Sequence, residues 1–117
     1  MTEPTRFHAE ELYYDLVTGE QEKAYPILLE WVQTFPQDFV AHNNLARCLA
    51  LLGQQDRALA EAREAARLLP STWSYTRVIF GSILTDRLDE AKATFDEADA
   101  RKFDGSDLRE VRSLLPS

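Results

Sequence analysis

The feature that most constrains the fold of this chain is an internal repeat. Three kinds of marker residue recur with a spacing of 34: Gly19 and Gly53, Ala24 and Ala58, Pro36 and Pro70. A further alanine, Ala91, follows Ala58 after 33 residues. A fixed period of this length is typical of arrays in which each small unit buries its apolar face against the next. The sequence therefore predicts a stack of similar units.

Each unit is predicted to be a helix, a short turn and a second helix. Gly53 suits the left-handed residue that ends a helix, and Pro70 lies just beyond the end of the next one. Asp86 stands where the third unit would have its glycine, and aspartate tolerates that conformation better than most residues. The predicted helices are 39–52, 55–69, 73–85 and 88–102, with a last short helix over 107–115 capped by Ser106.

Small side chains mark the predicted contacts between helices. Ala58, Ala62 and Ala65 are spaced i, i+4 and i+7, so they form one stripe of a helix. Ala46 on the partner helix is small too. Small residues on facing stripes allow two helix axes to approach closely, so we expect these alanines at buried helix contacts.

The spacing and the motif residues together resemble the tetratricopeptide repeat, whose pattern is W-x2-L-G-x2-Y, then A-x3-F, then P. The residues that carry the resemblance are His42, Leu45, Ala46, Leu49, Ala58, Ala62 and Pro70 in the middle unit, and Tyr75, Val78, Ile79, Ser82, Ala91 and Phe95 in the third. The first unit matches at Ala24, Leu28 and Pro36, but Trp31 replaces a small residue there. The register of the first helix of this unit is left open, and Phe7 and Tyr14 are alternative candidates for the residues that pack it against its neighbours.

The resemblance implies an all-α fold, a right-handed superhelical stack of helix–turn–helix units (an α-solenoid) with a short C-terminal capping helix. It implies a single domain over 1–117, with units at about 5–38, 39–71 and 72–104 and the last helix at 106–115. Residues 86–108 are also similar, more weakly, to arrays attached to bacterial serine/threonine kinases or transcriptional regulators. That likeness suggests a piece of a larger protein in which 107–115 begins a fourth unit.

Composition and charge exclude several classes of function. The net charge is −7, distributed as −6 over 1–38, +1 over 39–72 and −2 over 73–117, so no basic face for nucleic acid is expected. The sequence has no apolar run long enough to span a membrane and no secretory signal, which predicts a cytoplasmic protein without membrane insertion.

Chemistry is not expected either. One cysteine and two histidines give no spacing typical of a metal site, and no phosphate loop or catalytic motif occurs. Cys48 is interpreted as a core residue, and His8 and His42, which are repeat-equivalent, as substitutes for the family's aromatic residue. We therefore predict no enzyme, no cofactor and no metal.

The resemblance implies that the first helix of each unit lines a concave groove for a peptide or helix of a partner protein. Its predicted binding residues are Tyr13, Asn43, Asn44, Arg47, Trp73, Arg77 and Phe80. Trp73, Arg77 and Phe80 are spaced i, i+4 and i+7, so they share one helix face. Asparagine can bind a peptide backbone amide and arginine can bind a carboxylate. Some family members hold acidic C-terminal peptides with a clamp of Lys, Asn and Arg, which Asn43, Asn44 and Arg77 match only in part.

Three alternatives to this groove remain. Trp73 and Phe80 could pack against the second unit while Arg47 and Arg77 are solvated. The array could instead be a structural spacer or a self-association module of a larger protein. A small-molecule pocket is the third alternative.

Overall fold

The computed structural model describes Phe7, Glu10 and residues 19–103. Phe7 and Glu10 are helical, and five helices follow: α1 (Gln21–Thr34), α2 (Phe39–Leu51), α3 (Gln55–Leu68), α4 (Thr72–Leu84) and α5 (Leu88–Ala100). The four helices predicted between 39 and 102 are confirmed to within two residues at each end. His8, Tyr13, Tyr14 and the predicted helix 107–115 lie outside the described residues.

Two helix starts are fixed by side-chain caps. The Asp38 carboxylate accepts hydrogen bonds from the backbone N–H of Val40 and Ala41 at the start of α2. Ser71 and Ser74 cap each other's backbone N–H at the start of α4. Such caps satisfy amide donors that have no partner inside the helix, so the boundaries of the first helices of units two and three are set locally.

The ends of three helices, α2, α4 and α5, share one turn geometry. Gly53, Asp86 and Lys102 adopt left-handed backbone conformations with φ of 81°, 61° and 60°. In each case the following residue donates its N–H to the carbonyl five residues earlier, as Gln54 does to Leu49 at 2.8 Å. The left-handed residues predicted at Gly53 and Asp86 are confirmed, whereas the one at Lys102 was not anticipated.

The helices stack in sequence. Each described helix packs against the next, and α2 also contacts α4, the first helix of the following unit. The chain is accordingly elongated, with extents of 45 × 25 × 22 Å. This translational stacking is the all-α solenoid that the repeat predicts.

The core is divided into clusters along the stack. The first joins α1, α2 and the start of α3, and it contains Phe7 and Trp31, whose rings are stacked with centroids 6.4 Å apart. The second, formed by Ala46, Leu59, Ala62 and Val78, joins α2, α3 and α4. The third joins α4 to α5 and consists of Tyr75, Ile79, Ala91 and Ala98. Two of these clusters therefore join neighbouring units, and the third lies within unit three.

The predicted small-residue contacts are confirmed. Ala46, Ala58, Ala62 and Ala65 are all buried. Gly81 of α4 extends this pattern, because a Cβ atom there would lie only 3.2 Å from Leu59 Cδ1 and 3.3 Å from Leu59 Cβ. The two helices meet at a point where even a methyl group is tight.

Two residues interpreted as structural are buried as expected. Cys48 is 1% exposed, and its Sγ donates a weak hydrogen bond of 3.4 Å to the Gln21 carbonyl. His42 is 6% exposed, with Nε2 2.8 Å from the Pro36 carbonyl oxygen and Nδ1 2.6 Å from Glu61 Oε2. His42 therefore ties α2 both to the preceding turn and to α3.

Candidate functional site

An opening lies between the first helices of units two and three, α2 and α4. It is an open cavity of about 460 Å³ bounded by α2, α4 and the start of α3. Its lining consists of Asn43, Ala46, Ala50, Gln55, Ala58, Trp73, Thr76, Arg77, Phe80, Gly81 and Leu84. We call this space the inner groove.

Small residues make the inner groove possible. Ala46, Ala50, Ala58 and Gly81 contribute four of its lining positions. These side chains let the helices approach closely and leave the space above the contact unfilled. The pattern that packs the repeat thus also shapes the cavity.

Arg77 is the one charged residue among the described residues that line the inner groove. Its side chain is half-buried, and this burial, with the positive charge of Arg47 as a second cause, lowers the pKa of Arg77 to about 10. A nearby carboxylate would act in the opposite direction, and none in the described part of the chain contributes. Arg77 therefore carries a partly desolvated positive charge that a negative group would stabilise.

Two buried amide oxygens face the same region without a partner. Within the described part of the chain, neither Asn43 Oδ1 nor Gln55 Oε1 has a hydrogen-bond partner. Gln55 is held in place by its Nε2, which donates to the Ala50 carbonyl at 3.0 Å. Buried polar atoms are usually paired, so these two residues have hydrogen-bonding capacity left over at the groove.

Apolar side chains of α4 are exposed beside Arg77. Trp73 is 71% exposed and Leu84 61%, at opposite ends of the helix, while Phe80 lies between them at 37%. An indole exposed to this extent is not explained by packing against unit two. The face shared by Trp73, Arg77 and Phe80 is open towards the inner groove.

The structure brings together some of the predicted site residues. Asn43, Trp73, Arg77 and Phe80 line the inner groove, but Asn44 and Arg47 are half-buried residues of α2 outside its lining. Arg47 is near enough for its charge to act on Arg77. Tyr13 lies outside the described residues.

Sequence reasoning missed Gln55 and Gly81. It considered only the first helix of each unit, whereas Gln55 begins the second helix of unit two and closes one side of the cavity. Gly81 carried a usable signal, because a glycine inside a helical pattern often marks a close approach of two backbones.

The described residues contain neither a metal-ligand cluster nor a membrane-spanning helix. No group of three or more His, Cys, Asp or Glu side chains there is arranged to hold a metal ion. None of the described helices combines the length and the apolar character needed to cross a bilayer.

Among known proteins, only solved structures were found to be similar to this chain. No protein-family model and no curated protein matches the chain. Solved structures do: the Sgt2 TPR domain from Aspergillus fumigatus has a TM-score of 0.81 at 16% identity, covering 95% of this chain and 75% of that one. The chain has the tetratricopeptide repeat fold.

Two other structures with the TPR fold are peptide complexes. The TPR2B domain of yeast Sti1 in its pHsp70 complex gives a TM-score of 0.78 at 23% identity, over 95% of this chain and 91% of that one. The first TPR of Spaghetti (RPAP3), bound to the HSP90 peptide SRMEEVD, gives 0.80 at 18% identity, over 94% and 88%. At these identities the likeness establishes the TPR fold of this chain and leaves its ligand open.

Proposed function

We propose that this chain is a non-catalytic interaction module that holds a segment of a partner protein in the inner groove. The observation that supports this most strongly is Arg77, a half-buried cation on which no carboxylate of the described residues acts, beside the exposed indole of Trp73. A protein that needed this face only for its own packing would not leave such a charge partly desolvated.

The chemistry of the inner groove suits a peptide. Arg77 can bind a carboxylate with two parallel hydrogen bonds, and the free amide oxygens of Asn43 and Gln55 can accept from backbone or side-chain N–H groups after small rotations. Trp73 and Arg77 are also of the residue types most often found as binding hot spots. The ligand we expect is therefore polar at its centre, acidic, and partly apolar.

The peptide complexes add support by analogy. The HSP90 peptide bound to RPAP3, SRMEEVD, has three carboxylic side chains. An acidic ligand in a groove of this fold is consistent with a free Arg77. We do not transfer the HSP90 peptide itself, because the identity between the two chains is 18%.

A paired substitution tests the proposal. The wild-type chain is used to select ligands from a displayed peptide library, and binding of the selected peptides is compared with that of the Trp73→Ala, Arg77→Ala double variant. We expect affinity to fall by at least about a hundredfold, the usual effect of removing two hot spots, while the far-ultraviolet helical signal is retained.

A matched control removes the same residue classes elsewhere. Arg67 and Leu69 are exposed at the other end of α3, some 12 residues beyond Gln55, so the Arg67→Ala, Leu69→Ala variant should bind like wild type. Equal binding by the groove variant and wild type would remove the inner groove from the proposal. If wild type selects no peptide and its mass by light scattering rises with concentration, self-association takes the place of peptide binding.

A further inference from the structure

On α4, the charged Arg77 lies between two exposed apolar residues, Trp73 and Leu84. Trp73 is the second residue of α4 and Leu84 the last, both line the inner groove, and Arg77 lies between them. The spacing of the two exposed apolar residues recurs 33 residues earlier on α2, at Val40 and Leu51, but Asn44 stands at the position that corresponds to Arg77. The inner groove thus has a positively charged centre with exposed apolar residues at both ends.

The helical rise fixes the spacing of these features. From Trp73 to Arg77 the axial distance is about 6 Å, and from Arg77 to Leu84 it is about 10.5 Å, at 1.5 Å per residue. The two apolar ends are therefore separated by about 16.5 Å. A ligand that meets all three side chains must present an apolar group, a negative group and a second apolar group at these intervals on one face.

An extended segment does not meet this requirement. At about 3.3 Å per residue the ends would be reached by residues five apart, and in a strand such residues point to opposite faces. Residues four or six apart share a face, but they miss the spacing by about 3 Å. An extended ligand could therefore satisfy one apolar end together with Arg77, but not both ends.

A helix meets the requirement without adjustment. Residues i, i+4 and i+11 of a helix fall within about 40° of one another and have the same axial intervals as Trp73, Arg77 and Leu84. In the opposite direction the negative residue is at i+7 rather than i+4.

The charge of the inner groove predicts that the central residue of the ligand is acidic. The chain as a whole carries −7, yet among the described residues that line the inner groove the only charge is the cation Arg77. An acidic side chain at the centre of the ligand would be attracted locally, whereas a basic one would be repelled by Arg77 and by Arg47 nearby.

We propose that the occupant of the inner groove is an amphipathic helix of about three turns, with apolar residues at i and i+11 and an acidic residue at i+4 or i+7. This inference rests on the proposed function and narrows it from a peptide to a helix with a defined stripe. The ligand need not end in a free carboxylate, because a side-chain carboxylate supplies the charge.

Designed peptides test the stripe. The helical probe has leucine at i and i+11, glutamate at i+4 in one version and i+7 in the other, and alanine, lysine or glutamine elsewhere. A second probe of the same composition has a central proline, which breaks the helix. A third places leucine and glutamate for an extended chain, at i, i+2 and i+6. Binding of labelled peptides is measured by fluorescence anisotropy.

We expect one helical version to bind at least about tenfold more tightly than the proline and extended probes. A double-mutant cycle then tests whether the glutamate of this peptide binds Arg77. Arg77→Gln should weaken binding of the glutamate peptide by about tenfold and leave binding of its glutamine version unchanged. Leu84→Ala should weaken the helical probe and spare the extended one.

The outcomes separate this inference from the proposed function. Preferential binding of the extended probe, no coupling between Arg77 and the peptide glutamate, or no binding of either helical probe where library-selected peptides do bind would overturn the helix. In each case the proposed function would still be judged by the Trp73→Ala, Arg77→Ala variant and its own ligands.

Discussion

The indole Nε1 of Trp31 donates a hydrogen bond of 3.0 Å to Asp38 Oδ2, while the other oxygen of the same carboxylate caps α2. Asp38 thus links the end of α1 to the start of α2 across the turn between the first two units. Trp31 is 2% exposed and its ring is stacked on Phe7. A large residue where the repeat usually has a small one is accommodated because Asp38 satisfies its buried N–H.

Replacing Asp38 should therefore remove two interactions at once. We expect Asp38→Ala to lower the free energy of unfolding by about 2–3 kcal/mol, of which about 1 kcal/mol is the lost cap and the rest the unpaired indole N–H. Asp38→Asn keeps an acceptor and should lose about 1 kcal/mol or less. Urea unfolding followed by circular dichroism measures both, and equal losses in the two variants would contradict the double role.

The repeat could be predicted from sequence because its signals are local. Gly53, Asp86 and Pro70 mark helix ends whatever their neighbours are, and the spacing of the alanines requires only one helix to be known. The structure added side-chain contacts between successive helices. Trp31 with Asp38, and His42 with Glu61, depend on where a turn places two helices, which no local pattern specifies.

For the candidate site, the helix faces could be predicted from the sequence, but the contacts between helices could not. The faces of α2 and α4 followed from helical spacing, which is why Asn43, Trp73, Arg77 and Phe80 of the predicted site line the inner groove. Gln55 was not, because the contribution of the second helix to the groove depends on how the hairpin closes. The partial burial of Arg77 was likewise invisible, since sequence gives the charge of a residue and not its solvation.

Arg77 should oppose stability when no ligand is bound. Its folded pKa, about 10, lies below the ordinary value of an arginine because burial disfavours the charged form, so at neutral pH folding is weakened by a charge that the unfolded chain keeps fully hydrated. The penalty is present in full below the folded pKa of about 10 and declines as the pH rises above it. We expect Arg77→Leu to raise the free energy of unfolding by roughly 1–3 kcal/mol.

The measurement is thermal and urea unfolding of the variant without ligand, compared with Arg67→Leu, which removes an exposed arginine paired with Glu64. Arg67→Leu should show no gain. A loss of stability in Arg77→Leu would mean that this guanidinium contributes to the fold, and the argument for a ligand would lose its main support.

The Arg63–Glu90 pair should give a pH-dependent contribution between α3 and α5. Arg63 donates to both carboxylate oxygens of Glu90, from Nε at 2.8 Å, and these hydrogen bonds lower the pKa of Glu90 below its usual 4.5. A lowered folded pKa contributes stability that is present above the unfolded value and lost as pH falls through the folded one.

We therefore expect Glu90→Gln to lower the free energy of unfolding by less than about 1 kcal/mol at neutral pH, because both side chains are partly exposed. The difference from wild type should disappear near about pH 3 and shrink in high salt. Urea unfolding at both pH values measures it. A difference that stays constant with pH would show that Glu90 acts through packing rather than charge.

The turn glycine of unit two isolates the effect of backbone conformation. Gly53 has φ of 81°, and a Cβ atom placed there would meet nothing within 4 Å, so a substitution changes strain without causing a clash. We expect Gly53→Ala to lower the free energy of unfolding by about 1 kcal/mol, and Gly53→Asn by less, because asparagine tolerates the left-handed region. Ala60 is exposed inside α3, where the reverse change, Ala60→Gly, should also lose about 1 kcal/mol because glycine weakens a helix interior. Chemical denaturation of the three variants tests this, and an alanine at 53 as stable as the wild-type glycine would show that the turn can adopt another conformation.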